Sequence, residues 1–215
     1  MNNPNQKQSI LVWDFPVRAF HCLLVISFVG AWLSSEGETW QMLHYAFGYS
    51  AVVLILFRVV WGLIGTKYAR FGEFIKGPSE TMNHIKSIFS GNMDLGPGHN
   101  PVGALVMISL MILILLIDLT GYWTIKEYLG EYMSGPHEAI SNLALGFVVI
   151  HVAAAIIMSY MQKENLVKSM ITGKKEGLPG QAIQSPQYIT GLILTLAWGY
   201  CFYMVFNGAW TSLTR

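Results

Sequence analysis

The chain has 215 residues, of which 53% are hydrophobic and 12% charged, with a mean hydropathy of +0.45. That balance excludes an ordinary soluble domain and fits a small protein that crosses a membrane several times. The formal net charge of +1 comes with no basic patch of the size nucleic acid requires, so no nucleic-acid partner is expected.

In chain order, the first dozen residues are polar and hold no secretory apolar core, which makes the first apolar run a retained span. That run goes approximately from Phe15 to Leu33, and the second from Trp40 to Ile64. In the polar stretch that follows, Pro78 to Phe89 places Met82, Ile85, Ile88 and Phe89 on one helical face. This predicts a short helix lying in the membrane surface. Asn100-Pro101 reads as a cap followed by proline at the first helical position, opening a third run, Val102 to Trp123. Gly135-Pro136 reads similarly for a fourth, Pro136 to Met161.

The fifth run, Tyr188 to Phe206, carries Gly191, Thr195 and Gly199 at a small-x-x-x-small spacing. The stripe packs either within the chain or against a second copy in a homodimer. Each run is near the ~20 residues that cross a bilayer as a helix. Backbone groups in lipid must bond internally, so the expected fold is an all-α membrane protein. Trp13, Trp32, Trp40, Trp61, Trp123 and Trp210 fall near span ends, as interfacial aromatics do.

Charge placement gives an orientation. The amino-terminal tail and the loops 65–100 and 162–187 hold Lys7, Lys67, Arg70, Lys76, Lys86, Lys163, Lys168, Lys174 and Lys175. The other side holds Lys126 and Arg215 against Glu36, Glu38, Glu127, Glu131 and Glu138. The positive-inside rule then puts the amino terminus in the cytoplasm and the carboxyl terminus outside, in agreement with five spans.

Four histidines lie inside these runs. His137 and His151 are fourteen residues apart, nearly four helical turns, so both leave one helix face about 21 Å apart along it. His44, near the outer start of the second span, matches His137 in depth. His21, near the inner start of the first, matches His151. His21 and His44 lie near opposite faces and cannot share a metal. Each matched pair joins two helices, as bis-imidazole ligation across a bundle core requires, and the spacing suggests two stacked haems. A packed histidine satisfied by its neighbours is the ordinary alternative for one such residue, and two depth-matched pairs argue against it. Structural zinc normally gathers four ligands at one point, which remote pairs do not supply. No C-x-x-C-H stretch offers covalent haem attachment, and Cys22 and Cys201 fall inside apolar runs, so no disulfide framework is indicated.

Further candidates surround the histidines. Gly48 is one turn after His44, where a missing side chain either admits a flat macrocycle or allows close helix packing. Arg58 returns to the His44 face at the inner pair's depth, and Arg18 is one turn before His21. An arginine fork there either pairs with haem carboxylates or snorkels to lipid phosphates, the latter reading fitting Arg18 better. Asp118 is either a proton acceptor in quinol oxidation or a hydrogen-bonded structural acid. His84 and His99 read as loop histidines. The methionines read as filler.

The motif Trp13-Asp14-Phe15-Pro16-Val17-Arg18-Ala19-Phe20-His21 resembles the W-D-x-x-x-R-x-x-H opening of the bacterial cytochrome b561 family, related to the b-type subunit of nickel–iron hydrogenases. His44-x-x-x-Gly48-Tyr49, Arg58-x-x-Trp61-Gly62, Ala69-Arg70-Phe71 and Gly98-His99-Asn100-Pro101-x-Gly103-Ala104 resemble further blocks. So do Thr120-Gly121, His137-Glu138, His151 and Leu166-Val167-x-x-Met170-x-x-Gly173-Lys174.

The resemblance implies a four-helix transmembrane bundle over residues 1–175 holding two non-covalent b haems, with His21, His44, His137 and His151 as iron ligands. Residues 176–215 then form a linker and an additional, fifth transmembrane helix beyond the four of the short members. It also implies a bacterial inner-membrane location and electron transfer between quinone or quinol and a redox partner, a periplasmic cytochrome or a hydrogenase-like subunit. The periplasmic side, with its acidic loops, is the expected side for that partner. The alternatives are a stand-alone quinone-linked oxidoreductase, such as a superoxide:quinone oxidoreductase, and a haem-free transporter whose histidines relay protons.

Overall fold

The computed structural model describes residues 6–90, 98, 101–126 and 130–208, except the side chains at 78, 84, 85, 88, 89, 130 and 131. Its elements are, in order, β1 (Gln8–Leu11), α1 (Phe15–Leu33), α2 (Gln41–Ile64), α3 (Phe71–Phe74), α4 (Pro78–Phe89), α5 (Pro101–Ile125), α6 (Ser134–Gln162), α7 (Leu166–Thr172), β2 (Lys174–Gly177) and α8 (Tyr188–Phe206). Among the described residues, the helices long and apolar enough to cross a membrane are α1, α2 with its short lead-in turn, α5, α6 and α8. These are the five expected runs.

α4 covers the expected surface helix, and Met82 on it is half exposed. The side chains of His84, Ile85, Ile88, Phe89 and Glu131 lie outside the described residues, as do His99, Asn100, Glu127, Trp210 and Arg215. α5 opens on Pro101 as expected. α6 starts at Ser134, ahead of the expected Gly135-Pro136 boundary. Pro136 then sits in the first turn, where its missing N–H has no intrahelical acceptor to lose.

The chain divides into two compact units. The first comprises residues 1–14, 60–112 and 143–186. It contains a two-stranded antiparallel sheet absent from the sequence expectations, β1 on β2, with Gln8 opposite Gly177 and Leu11 opposite Lys174. The chain reaches β2 because Gly173 adopts φ +80, the left-handed conformation that ends α7. Its carbonyl accepts from the Val12 and Trp13 N–H groups, which extends the pairing.

Asp14, 1% exposed, follows directly and accepts from Thr66 Oγ1 at 2.6 Å and from Trp61 Nε1 at 3.0 Å. Lys175 is buried on β2 beside Glu164, 3.5 Å away. Burial pushes its ammonium below the ordinary lysine value, while Glu164 pulls the other way. Tyr68 donates its hydroxyl to the Gln181 carbonyl at 2.8 Å and packs edge-on against Trp13.

The second unit comprises residues 15–59, 113–142 and 187–215. Here α8 packs along α1. Gly191 is buried where the Phe15 ring leaves no room for a side chain, and Trp198 Nε1 donates to Ser27 Oγ at 2.9 Å. Trp198, Phe202 and Phe206 stack in sequence down α8, with Phe47 of α2 against Phe202. Gly30 of α1 makes room for the other side of that contact, since the Phe47 ring occupies the place its Cβ would take. In the small-residue stripe on α8, Gly191 therefore serves packing within the chain. Among the described residues, nothing beyond its own helix backbone lies within 4 Å of the Gly199 Cβ position. Leu192, Ile193 and Leu196 point outward and are more than half exposed, as side chains facing lipid tails are.

Candidate cofactor site

In the second unit α2 brings His44 and α6 brings His137 together, their ring centres 6.1 Å apart and their planes at 79°. An imidazole nitrogen sits about 2 Å from a first-row transition metal and its ring centre roughly 1 Å further. Two imidazoles facing each other across one metal therefore place their centres roughly 6 Å apart, at any angle about the shared axis. The observed separation fits one iron held from both sides.

The ring nitrogens also fit. His44 Nδ1 is 2.8 Å from the Ala31 carbonyl, and His137 Nδ1 is 3.0 Å from the Ile117 carbonyl. A carbonyl only accepts, so both Nδ1 atoms carry the proton and both Nε2 lone pairs remain for a metal. This is the arrangement that orients ligating histidines and raises their basicity.

Local structure explains both acceptors. Ala31 lies in the last turn of α1, where carbonyls have no intrahelical donor, and the Ser34 hydroxyl also reaches it at 3.3 Å. Ile117 lies inside α5, but Gly121 one turn later leaves room for the ring: a Cβ there would stand 3.0 Å from His137 Cε1. Thr120 Oγ1 is 3.4 Å from the same Nδ1.

A cavity of about 760 Å³ opens beside the pair, lined among others by His44, His137, Gly48, Asp118 and Gly121. That lies within the ~300–1,000 Å³ of small-molecule and cofactor sites. Gly48 lines this cavity. Among the described residues, a Cβ built on it meets one atom beyond its own helix backbone, Asp118 Oδ1 at 3.5 Å, an ordinary contact. Helix packing therefore does not require glycine at this position, and what it borders is the cavity. Asp118 Oδ2 is buried with no hydrogen-bond partner among the described residues. Exposed Glu36, Glu38 and Glu138 stand at the cavity's rim, and among the described residues neither lysine nor arginine lines it.

The remaining candidates fall elsewhere. His21 is partly buried on α1 in the second unit, and His151 is partly buried on α6 in the first. Arg58 is 1% exposed, which excludes snorkelling to a lipid surface. Arg18 holds its guanidinium over the Phe15 ring, 5.5 Å from its centre. Among the described residues, no three His, Cys, Asp or Glu side chains converge as a metal cluster.

Thr120-Gly121 stood in the sequence only as a block of the family resemblance, with no role at the site, and the Ala31 and Ile117 carbonyls were not identified at all. A glycine one turn before the end of the third span, directly after Thr120, was the available signal for the first two.

Residues 12–173 match the family model for prokaryotic cytochrome b561. One relative, described as a probable Ni/Fe-hydrogenase B-type cytochrome subunit of Rhizobium leguminosarum bv. viciae, is 24% identical over 218 residues. That alignment covers 79% of this chain and 90% of the relative. No solved structure matches. With five helices fit to cross a membrane and a family match over most of its length, the chain belongs to the prokaryotic cytochrome b561 family of membrane b-type cytochromes.

Proposed function

We propose that the chain is a di-haem electron carrier of the bacterial inner membrane, linking the quinone pool to a redox protein on the periplasmic side. The observation that carries this reading is the His44–His137 pair, 6.1 Å apart with both Nδ1 atoms committed to carbonyls. When bound, haem supplies one-electron chemistry by cycling between ferrous and ferric iron. The residues do the rest. His44 and His137 hold the outer haem and fix its orientation through Ala31 and Ile117. Gly48 leaves its face open to the ring.

His21 and His151 hold the inner haem, a pairing that rests on matched depth in the sequence and on the family motif around His21. Buried Arg58 supplies a fixed positive charge suited to haem carboxylates, with Arg18 as the second candidate. The four-helix domain ends near Lys175, and α8 is the additional helix, with a homodimer left to its outward face. The amino terminus lies in the cytoplasm and the carboxyl terminus in the periplasm, on the lysine and arginine distribution.

The relative's description as a hydrogenase cytochrome subunit supports a redox protein as partner. The acidic rim of Glu36, Glu38 and Glu138 favours a basic docking surface, and it repels an anionic substrate such as superoxide. In proteoliposomes, quinol is expected to reduce the haem, and superoxide is expected not to drive quinone reduction without a partner. Haem that quinol leaves oxidised overturns the quinone link. Rapid superoxide-driven quinone reduction makes the chain an enzyme in its own right.

A further inference from the structure

Asp118 is the buried acid of the cavity, and ligation leaves it unused. It stands on α5, and the Nδ1–H groups of both histidines go to backbone carbonyls rather than to it. Its Oδ2 is buried with no hydrogen-bond partner among the described residues, and its Oδ1 faces Gly48 across the cavity wall. A buried carboxylate normally takes several hydrogen bonds or a cation. The surrounding titratable groups are His44, Tyr45 and Tyr49 on α2, Tyr122 on α5, and His137 and Glu138 on α6, with Glu36 and Glu38 at the rim. Tyr49 lies within electrostatic range of Asp118, Tyr45 and Tyr122. None of these groups provides a fixed positive charge. The positive charge that would vary beside Asp118 is that of an iron between His44 and His137.

We propose that Asp118 is the redox-linked proton site of the outer haem, taking up one proton when the iron gains an electron and releasing it when the electron leaves. This rests on the reading of His44 and His137 as ligands of one haem. The balance is simple. A one-electron donor, quinol or the protein partner, reduces ferric iron to ferrous with no iron–ligand bond broken. One O–H bond forms on the Asp118 carboxyl, with the proton drawn from water at the rim. Ferric iron carries one more positive charge and favours the carboxylate, while ferrous iron leaves that carboxylate uncompensated in a poorly screened cavity.

The test is a redox titration of the purified holoprotein across the neutral pH range, for wild type, Asp118→Asn and Asp118→Glu, with haem content measured on every sample. The outer component is the one that His44→Ala removes. In wild type and Asp118→Glu its potential is expected to fall as pH rises, approaching about 59 mV per tenfold drop in proton concentration for a one-electron couple. Asp118→Asn is expected to keep the haem and lose the slope. It should also hold a higher potential on the alkaline side, because the negative charge that favours ferric iron is gone.

A second readout needs only wild type and Asp118→Glu. A protonated carboxyl band should grow in the infrared spectrum on reduction and shift in the glutamate variant. A wild-type slope retained in Asp118→Asn, a pH-independent wild-type potential, or the absence of that band overturns the proposal. A wild-type protein with no haem that His44→Ala removes overturns the ligand reading instead.

Discussion

Two glycines border the same cavity and have opposite physical roles. At Gly48 a Cβ meets only Asp118 Oδ1 at 3.5 Å. At Gly121 it stands 3.0 Å from the His137 ring. Alanine at either position gains about 0.5–1 kcal/mol of helix stability from backbone entropy. Gly48→Ala is therefore expected to leave the apoprotein as stable or slightly more so, and Gly48→Leu to lose the outer haem with helix content unchanged. Gly121→Ala is expected to keep the haem but shift its absorption and potential, because the ligand ring must move by a few tenths of an ångström. Haem content by pyridine haemochrome, circular dichroism and a redox titration separate the three. Gly48→Leu with full haem would remove glycine from the cofactor's surroundings.

The pairing of His44 with His137 was legible in the sequence because depth along a membrane helix is fixed by residue count and span boundaries. The acceptors of their Nδ1 protons were not legible. Ala31 and Ile117 contribute only backbone carbonyls, and a carbonyl has no sequence signature.

Among the elements, the five long helices were readable because apolar length in a bilayer admits little else. The pairing of β1 with β2 was not. Four residues of Gln-Ser-Ile-Leu and four of Lys-Lys-Glu-Gly are too short to show a period, and their partners lie far apart in the chain. What makes them strands is tertiary: the left-handed turn at Gly173 and the Val12 and Trp13 N–H groups it receives.

The packing of α8 on α1 was half legible. The stripe of small residues marked a contact face, but it is Gly191 against Phe15 and Trp198 on Ser27 that set it within the chain. Gly191→Leu is expected to force the Phe15 ring aside and to cost roughly 1–3 kcal/mol, as overpacking does. Thermal unfolding in detergent should show the loss, while haem content, which the proposed function assigns to the other helices, is expected to stay at the wild-type value. Loss of haem in this variant would make α8 part of the cofactor domain.

For the molecule as a whole, the family match and the five membrane-length helices give a membrane b-type cytochrome, and the proposed function adds two haems, one held by His44 and His137 and one by His21 and His151. In the proposed function, two irons stacked across the bilayer would let electrons pass between a quinone in the membrane and a protein outside it. A single iron would serve one face only. The most direct measurement is the haem-to-protein ratio with a redox titration, on the wild type and on His44→Ala and His151→Ala. Two haems per chain are expected, with each substitution removing mainly one component. A wild-type ratio of one, or both substitutions abolishing the same component, would contradict the paired-haem reading.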